Sequence, residues 1–203
     1  MTSIEHLTIE AADVAAAQRF YAEAFGIEKQ VRVRASQAPT SGFRGFTVSL
    51  ISAQPATVLG FEEAAVKAGA TVLKPAKKSL WGFGGVVQAP DGTVWQLASS
   101  SKKDTGPDTG TFDEIVLLLG VADMAAGKKF YVERGLKVAK SFGGKYTEFD
   151  GTGSPVKLSL YPRKSFAKVT GLPVEGSGSH RLAVGSGFGE FTDPDGFVWE
   201  NAA

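Results

Sequence analysis

Two stretches of the chain run through the same pattern of apolar and polar positions in the same order. Ile4-Glu5-His6-Leu7-Thr8-Ile9 is rich in apolar and β-branched residues, as a strand is. Asp13 follows, then Ala15–Ala24, a run of good helix formers with Phe20 and Tyr21 turned toward a sheet, closed by Gly26. The second pass begins at Ile115-Val116-Leu117-Leu118-Leu119 and continues through Asp123, the helical stretch Ala125–Glu133 with Phe130 and Tyr131, and Gly135. Asp13, Phe20 and Tyr21 recur at Asp123, Phe130 and Tyr131 with a single offset of 110 residues. An aspartate before a helix accepts the free amide hydrogens of the first turn, and a glycine after it takes the left-handed conformation that ends it. Each pass therefore predicts strand, N-cap, helix and C-cap.

A second repeat closes each half. Pro90-Asp91-Gly92-Thr93-Val94-Trp95-Gln96 matches Pro194-Asp195-Gly196-Phe197-Val198-Trp199-Glu200. Pro fixes φ, Asp bonds its own backbone and Gly accepts a positive φ, so Pro-Asp-Gly between apolar runs predicts a turn. Gly85–Val87 and Val94–Leu97 then form a hairpin. Gly45–Ile51 reads as a strand and Gly60–Ala68 as a helix ended by Gly69. In the second half, Lys137–Phe149 and Val156–Tyr161 read as a hairpin around Asp150–Pro155, and Ser179–Val184 as a strand. No helical stretch separates that strand from Gly187–Thr192, so the second half lacks an element the first half keeps. The polar segment Ser101–Gly110 reads as a linker. The chain is expected to be an α+β protein in two halves, residues 1–100 and 111–203, joined by 101–110, with the second helix of the latter half reduced.

Composition mostly removes options. A net charge of +1 over 203 residues offers no field for nucleic acid. The absence of cysteine excludes disulfides, thiolate metal sites and a Cys nucleophile. The first ten residues carry no signal-peptide pattern, and no apolar run approaches the ~20 residues needed to span a bilayer. A cytoplasmic protein with no membrane partner is expected. The 25 glycines cluster between strands, where they read as turns.

The ordered pair of motifs, present twice, resembles the paired βαβββ modules of the vicinal oxygen chelate superfamily, which holds glyoxalases, extradiol dioxygenases and bleomycin-resistance proteins. The resemblance covers both halves and implies duplicated modules curled into U-shaped mixed sheets, the glyoxalase/bleomycin-resistance/dioxygenase fold. It also implies a ligand set. His6 stands seven residues before Asp13, where the family places its first metal ligand; His180 opens a strand like the first strand of a second module; Glu200 stands at the terminal carboxylate position. Two imidazoles and one carboxylate suit Fe, Mn, Ni or Zn and leave positions for substrate. This set requires His6 to meet His180 and Glu200 in one cavity, while a mirror site would collect Phe46, Gln96, Val116 and Leu158, which cannot hold a cation. The first half shows no carboxylate at the family's fourth ligand position.

With a metal, the implied chemistry is Lewis-acid stabilisation of an enolate or alkoxide, with Glu148 or Glu10 as the base. Glu10 shares a strand face with His6 and Thr8. Phe43, Phe46, Trp81 and Phe83 sit beside glycines in loops and are candidates for stacking on a ligand. The expected function is that of a glyoxalase-like protein, a metal-dependent lyase, isomerase or dioxygenase acting on a small oxygenated metabolite. The alternative is a metal-free small-molecule binding protein of the bleomycin-resistance type, with no cofactor. Either could assemble as a homodimer.

Overall fold

The structure is a computed structural model and describes residues 2–202. The first half runs β1 (Ile4–Ala11), α1 (Val14–Phe25), β2 (Val31–Ala35), β3 (Thr40–Ser41), β4 (Phe46–Ile51), α2 (Pro55–Lys67), β5 (Thr71–Ser79), β6 (Gly82–Gln88) and β7 (Val94–Ser99). The second half runs β8 (Glu114–Val121), α3 (Met124–Glu133), β9 (Val138–Ser141), a 3-10 turn at Gly143–Lys145, β10 (Thr147–Phe149), β11 (Lys157–Pro162), α4 (Arg163–Thr170), β12 (Ser177–Gly178), β13 (Leu182–Ser186), β14 (Phe191–Thr192) and β15 (Val198–Asn201).

The expected caps form. Asp13 accepts the Ala16 amide at 2.9 Å, and Asp123 accepts those of Ala125 and Ala126 at 2.8 and 3.0 Å. Gly26 ends α1 at φ 64°. The matched aromatics also agree. Tyr21 meets Trp95 and Tyr131 meets Trp199 with the same centroid separation, 5.4 Å, at interplanar angles of 49° and 51°. Each buried tyrosine donates its hydroxyl to an aspartate, Tyr21 to Asp91 and Tyr131 to Asp193. Burial and the neighbouring carboxylate hold both phenol pKa values well above the usual range.

Four elements depart from expectation. α2 starts at Pro55 rather than Gly60, because proline at the first helical position loses no needed amide hydrogen. Gly60 is interior instead, and the Asp108 carboxylate fills the space its Cβ would need. Gln54 ties the linker to this helix: its carbonyl accepts from Thr105 and Gly106, and its amide donates to Pro107 O at 2.5 Å. The stretch 137–149 is broken into β9, the 3-10 turn and β10. The strand expected at Ser179–Val184 begins at Leu182, since Arg181 takes φ 54°, the sole positive φ outside glycine among the described residues. α4 was not anticipated.

Two large sheets result, β14-β15-β13-β1-β2 and β5-β6-β7-β4-β8-β11-β10-β9, with a small β12-β3 ribbon beside them. Each large sheet draws strands from both halves. β1 pairs antiparallel with β13, and β4 antiparallel with β8 at the middle of the eight-stranded sheet. Outward from that joint the halves match, β4 parallel to β7 and β8 parallel to β11. One continuous apolar core joins α1, α2 and α3 to both sheets.

Candidate functional site

Alternation along β1 sends Leu7, Ile9 and Ala11 into the core and His6, Thr8 and Glu10 to the other face of the five-stranded sheet. Register extends that face. His6 lies opposite Gly185, which lies opposite Glu200; Thr8 lies opposite Ala183 on one side and Arg32 on the other; Glu10 lies opposite Arg34. His6 and Glu200 thus share one row across three strands. The His6 ring occupies the space a side chain at Gly185 would take and is only 6% exposed. Burial, aided by Arg32, lowers its pKa below 6.5 against an opposing pull from Glu200.

Arg34 is the dominant charge on this face. Its Nη1 donates to both Glu200 oxygens at 2.9 and 3.2 Å, and its Nη2 to Glu10 at 2.7 Å. The ion pair with Glu200 therefore bridges from β2 to β15 across β1 and β13. Its two carboxylate partners raise the guanidinium pKa further.

His180 is elsewhere. It lies five residues from Gly185, the partner of His6, in the direction that leads away from the His6 row. Its Nδ1 is 2.5 Å from Arg44 O and its Nε2 3.0 Å from Asp195 O, and its ring stacks on Phe197 at 4.0 Å. Both ring nitrogens are thus turned to backbone carbonyl oxygens of the Arg44 and Asp195 segments rather than toward His6 and Glu200. Among the described residues, no group of three His, Cys, Asp or Glu side chains could hold a metal ion. The expected set of His6, His180 and Glu200 is corrected accordingly: His6 and Glu200 share a row, and His180 does not join them. The two candidate bases are also separated. Glu10 is taken by Arg34, and Glu148 lies on the other sheet, where it accepts the Tyr146 hydroxyl at 2.9 Å.

The matching face of the eight-stranded sheet is filled. Thr47, Ser49, Gln96, Val116 and Leu118 fall on it by register, and Gln96 donates to Thr47 Oγ1 at 2.9 Å. α4 lies over it, burying Phe166 to 1% exposure among Phe43, Leu118 and Ala167, with Val116 and Tyr161 packed alongside. The expected mirror site mixes Thr47, Ser49 and Gln96 with Val116 and Leu118, and Phe46 and Leu158 belong to the main core on the opposite side. The aromatic candidates do not share a wall. Phe43 is fully buried edge-on to Phe166, Phe46 is in the core, and Phe83 is half-buried against that core. Trp81 stands in a turn, 87% exposed.

A cavity of about 420 Å³ opens between the β3–β12 ribbon and the Pro194-Asp195 turn, lined by Phe43, Arg44, Arg163, Ser177, His180 and Asp195 among others. Arg163 Nη2 donates to Phe43 O at 3.0 Å, and the guanidinium rests against Gly45, where a Cβ would clash. Burial raises the Asp195 carboxyl pKa, a shift opposed by the Ala122 amide, Arg163 and His180. Burial lowers the Arg44 pKa. The sequence reading missed the arginines of this cavity. Arg163 carries no local signal, being polar and next to a proline.

Architecture decides what the chain is similar to. Maize glyoxalase I superposes with a TM-score of 0.65 over 98% of this chain and 91% of that one, at 16% identity. The fold is that of glyoxalase I. A putative dioxygenase from Bacillus subtilis is similar at a TM-score of 0.56 and 11% identity, over 90% of this chain and 69% of that one. No family model matches the sequence, and no curated protein sequence matches it. The resemblance to the vicinal oxygen chelate superfamily holds at the level of fold. The metal that such a glyoxalase-like site implies does not fit the residues present, because Arg34 holds the two carboxylates of the face and His180 spends both nitrogens on carbonyl oxygens.

Proposed function

We propose that this glyoxalase-fold protein binds a small anionic molecule without a metal, in the cavity between Phe43, Arg163, His180 and Asp195. One observation carries the reading: the charged residues lining the cavity are Arg44 and Arg163 against a single carboxylate, Asp195, and the Arg163 guanidinium stands at the carbonyl of Phe43 in its wall. Its volume lies in the ~300–1,000 Å³ range of small-molecule sites. Serine hydroxyls and the glycine-rich stretch Gly176-Ser177-Gly178-Ser179 add donors at its rim. A planar fork such as Arg163 suits a carboxylate or phosphate. Phe43 and His180 remain in the site, as walls rather than as ligands to a cation. On the five-stranded face, the guanidinium of Arg34 supplies the positive charge that its carboxylates need.

The test is calorimetric titration of chelator-treated protein with small carboxylates and inorganic phosphate. Binding should persist without metal and weaken at least about tenfold in Arg163→Ala, the loss of one charge-assisted pair. Binding that requires added Zn, Ni, Mn or Fe and disappears in His6→Ala would support the metal-dependent enzyme instead.

A further inference from the structure

The longest hairpin, β5–β6, ends in a feature that neither sheet face uses. Ser79 pairs with Gly82, so Leu80 and Trp81 form a two-residue loop. Two-residue hairpin loops favour Asn, Asp and Gly, whose backbones match the twist of the strands. Here the loop holds two large apolar side chains, exposed to 79% and 87%, the most exposed large hydrophobic residues described. Ser79 organises the turn by accepting the Trp81 amide at 3.2 Å and donating to Gly82 O at 3.3 Å. Neither apolar side chain is needed for that arrangement.

The charges flanking the tip itself are positive. Lys77 and Lys78 are exposed on β5 just before the loop. Lys102, in the segment that follows β7, donates its ammonium to Leu80 O at 2.8 Å, and Lys103 follows. Residues 71–103 contain five lysines and one acid, Asp91, which sits at the far end of β6 beside Tyr21. The nearby carboxylates of Glu62 and Asp104 keep their charge but are turned to the Ala76 and Ala56 amides. Lysines and Pro75 on an edge strand would by themselves merely discourage strand pairing. That role does not account for an exposed leucine and tryptophan at the apex.

We infer that the β5–β6 tip docks on an anionic phospholipid surface, with Leu80 and Trp81 entering the headgroup region and Lys77, Lys78, Lys102 and Lys103 facing the lipid phosphates. Tryptophan settles at membrane interfaces, where its ring is half wet and half dry. Lysine stems lie along apolar surface while their ammonium groups stay in water. The attachment is peripheral: no helix among the described residues is long and apolar enough to cross a membrane. It revises the expectation that a membrane plays no part, which rested on the lack of a spanning segment.

The intact protein is mixed with phosphatidylcholine vesicles and with vesicles containing added phosphatidylserine, followed by sedimentation and tryptophan emission. Trp95 and Trp199 are buried, so a blue shift reports Trp81. Cosedimentation and a blue shift are expected with the anionic vesicles alone, weakening as salt rises. The Leu80→Asn/Trp81→Gly variant installs a favoured loop and should keep its melting temperature while losing at least about tenfold in partitioning. Neutralising Lys77 or Lys78 should cost about fivefold each. Failure of the natural protein to bind anionic vesicles overturns the inference. So does equal binding by the loop variant, or binding only to an acidic protein partner.

Discussion

The two large sheets present corresponding faces, and the chain treats them in opposite ways. On the five-stranded sheet the face is charged at its edge: Arg34 remains 45% exposed and pairs across four strands, while His6 and Thr8 beside it are buried. On the eight-stranded sheet, α4 crosses the face and buries Phe166 among Phe43 and Leu118. The strands beneath are built alike, with a tyrosine–tryptophan pair of equal geometry behind each repeat. What differs is an eight-residue helix after β11 and the arginines of β2. A duplicated scaffold thus leaves its cavities to the segments that cross it, and similarity of strands says little about which face can work.

The sharpest way to break this contrast is Phe166→Ala. Removing a fully buried phenyl group should cost about 3–5 kcal/mol in chemical denaturation. A loss below about 1 kcal/mol would mean α4 is not packed as a plug. Next comes Gly185→Ala, whose Cβ would enter the space of the His6 ring. It should cost about 1–3 kcal/mol, and adding His6→Ala should restore part of it. An additive double mutant would show that the ring is not held there. Tyr131→Phe and Tyr21→Phe each remove a hydroxyl from an aspartate and should each cost about 1–3 kcal/mol. Losses differing widely between them would deny the equivalence of the halves.

Smaller effects belong to the five-stranded sheet. His6 has a folded pKa below its unfolded value of about 6.5, so the unfolded chain takes up the proton first as pH falls. Its stabilising share is present above about pH 6.5 and shrinks as pH drops through the lowered folded value. Denaturation at about pH 7.5 and about pH 5 should therefore differ less in His6→Gln than in the natural protein; an unchanged difference would count against burial of that ring. Arg34→Met should cost less than about 1 kcal/mol, and less still in high salt, because the pair is half exposed. A loss of several kcal/mol would show that the pair is sealed from solvent.

Much of the scaffold was legible in the sequence because its signals are local. Asp13, Asp123, Gly26 and the Pro-Asp-Gly turns act on neighbouring backbone, and the structure uses them so. The site was less legible because it depends on register and on distant contacts. Alternation along β1 groups His6 with Thr8 and Glu10, yet it could not tell that Gly185 rather than His180 would lie opposite His6. Arg34 sat in an alternating Val31-Arg32-Val33-Arg34 run whose facing becomes meaningful only once β2 is paired with β1. α4 escaped notice because only Phe166, Ala167 and Thr170 are buried in a stretch otherwise rich in polar residues.

The joint between β4 and β8 has a bearing on biosynthesis. A ribosome releases the first half before β8 exists, so β4 waits with one hydrogen-bonding edge bare, and β1 likewise lacks β13. Neither half can complete a sheet by itself. Two nascent chains held close together could satisfy those edges with each other's strands, giving a swapped dimer from the same pairings that close the monomer.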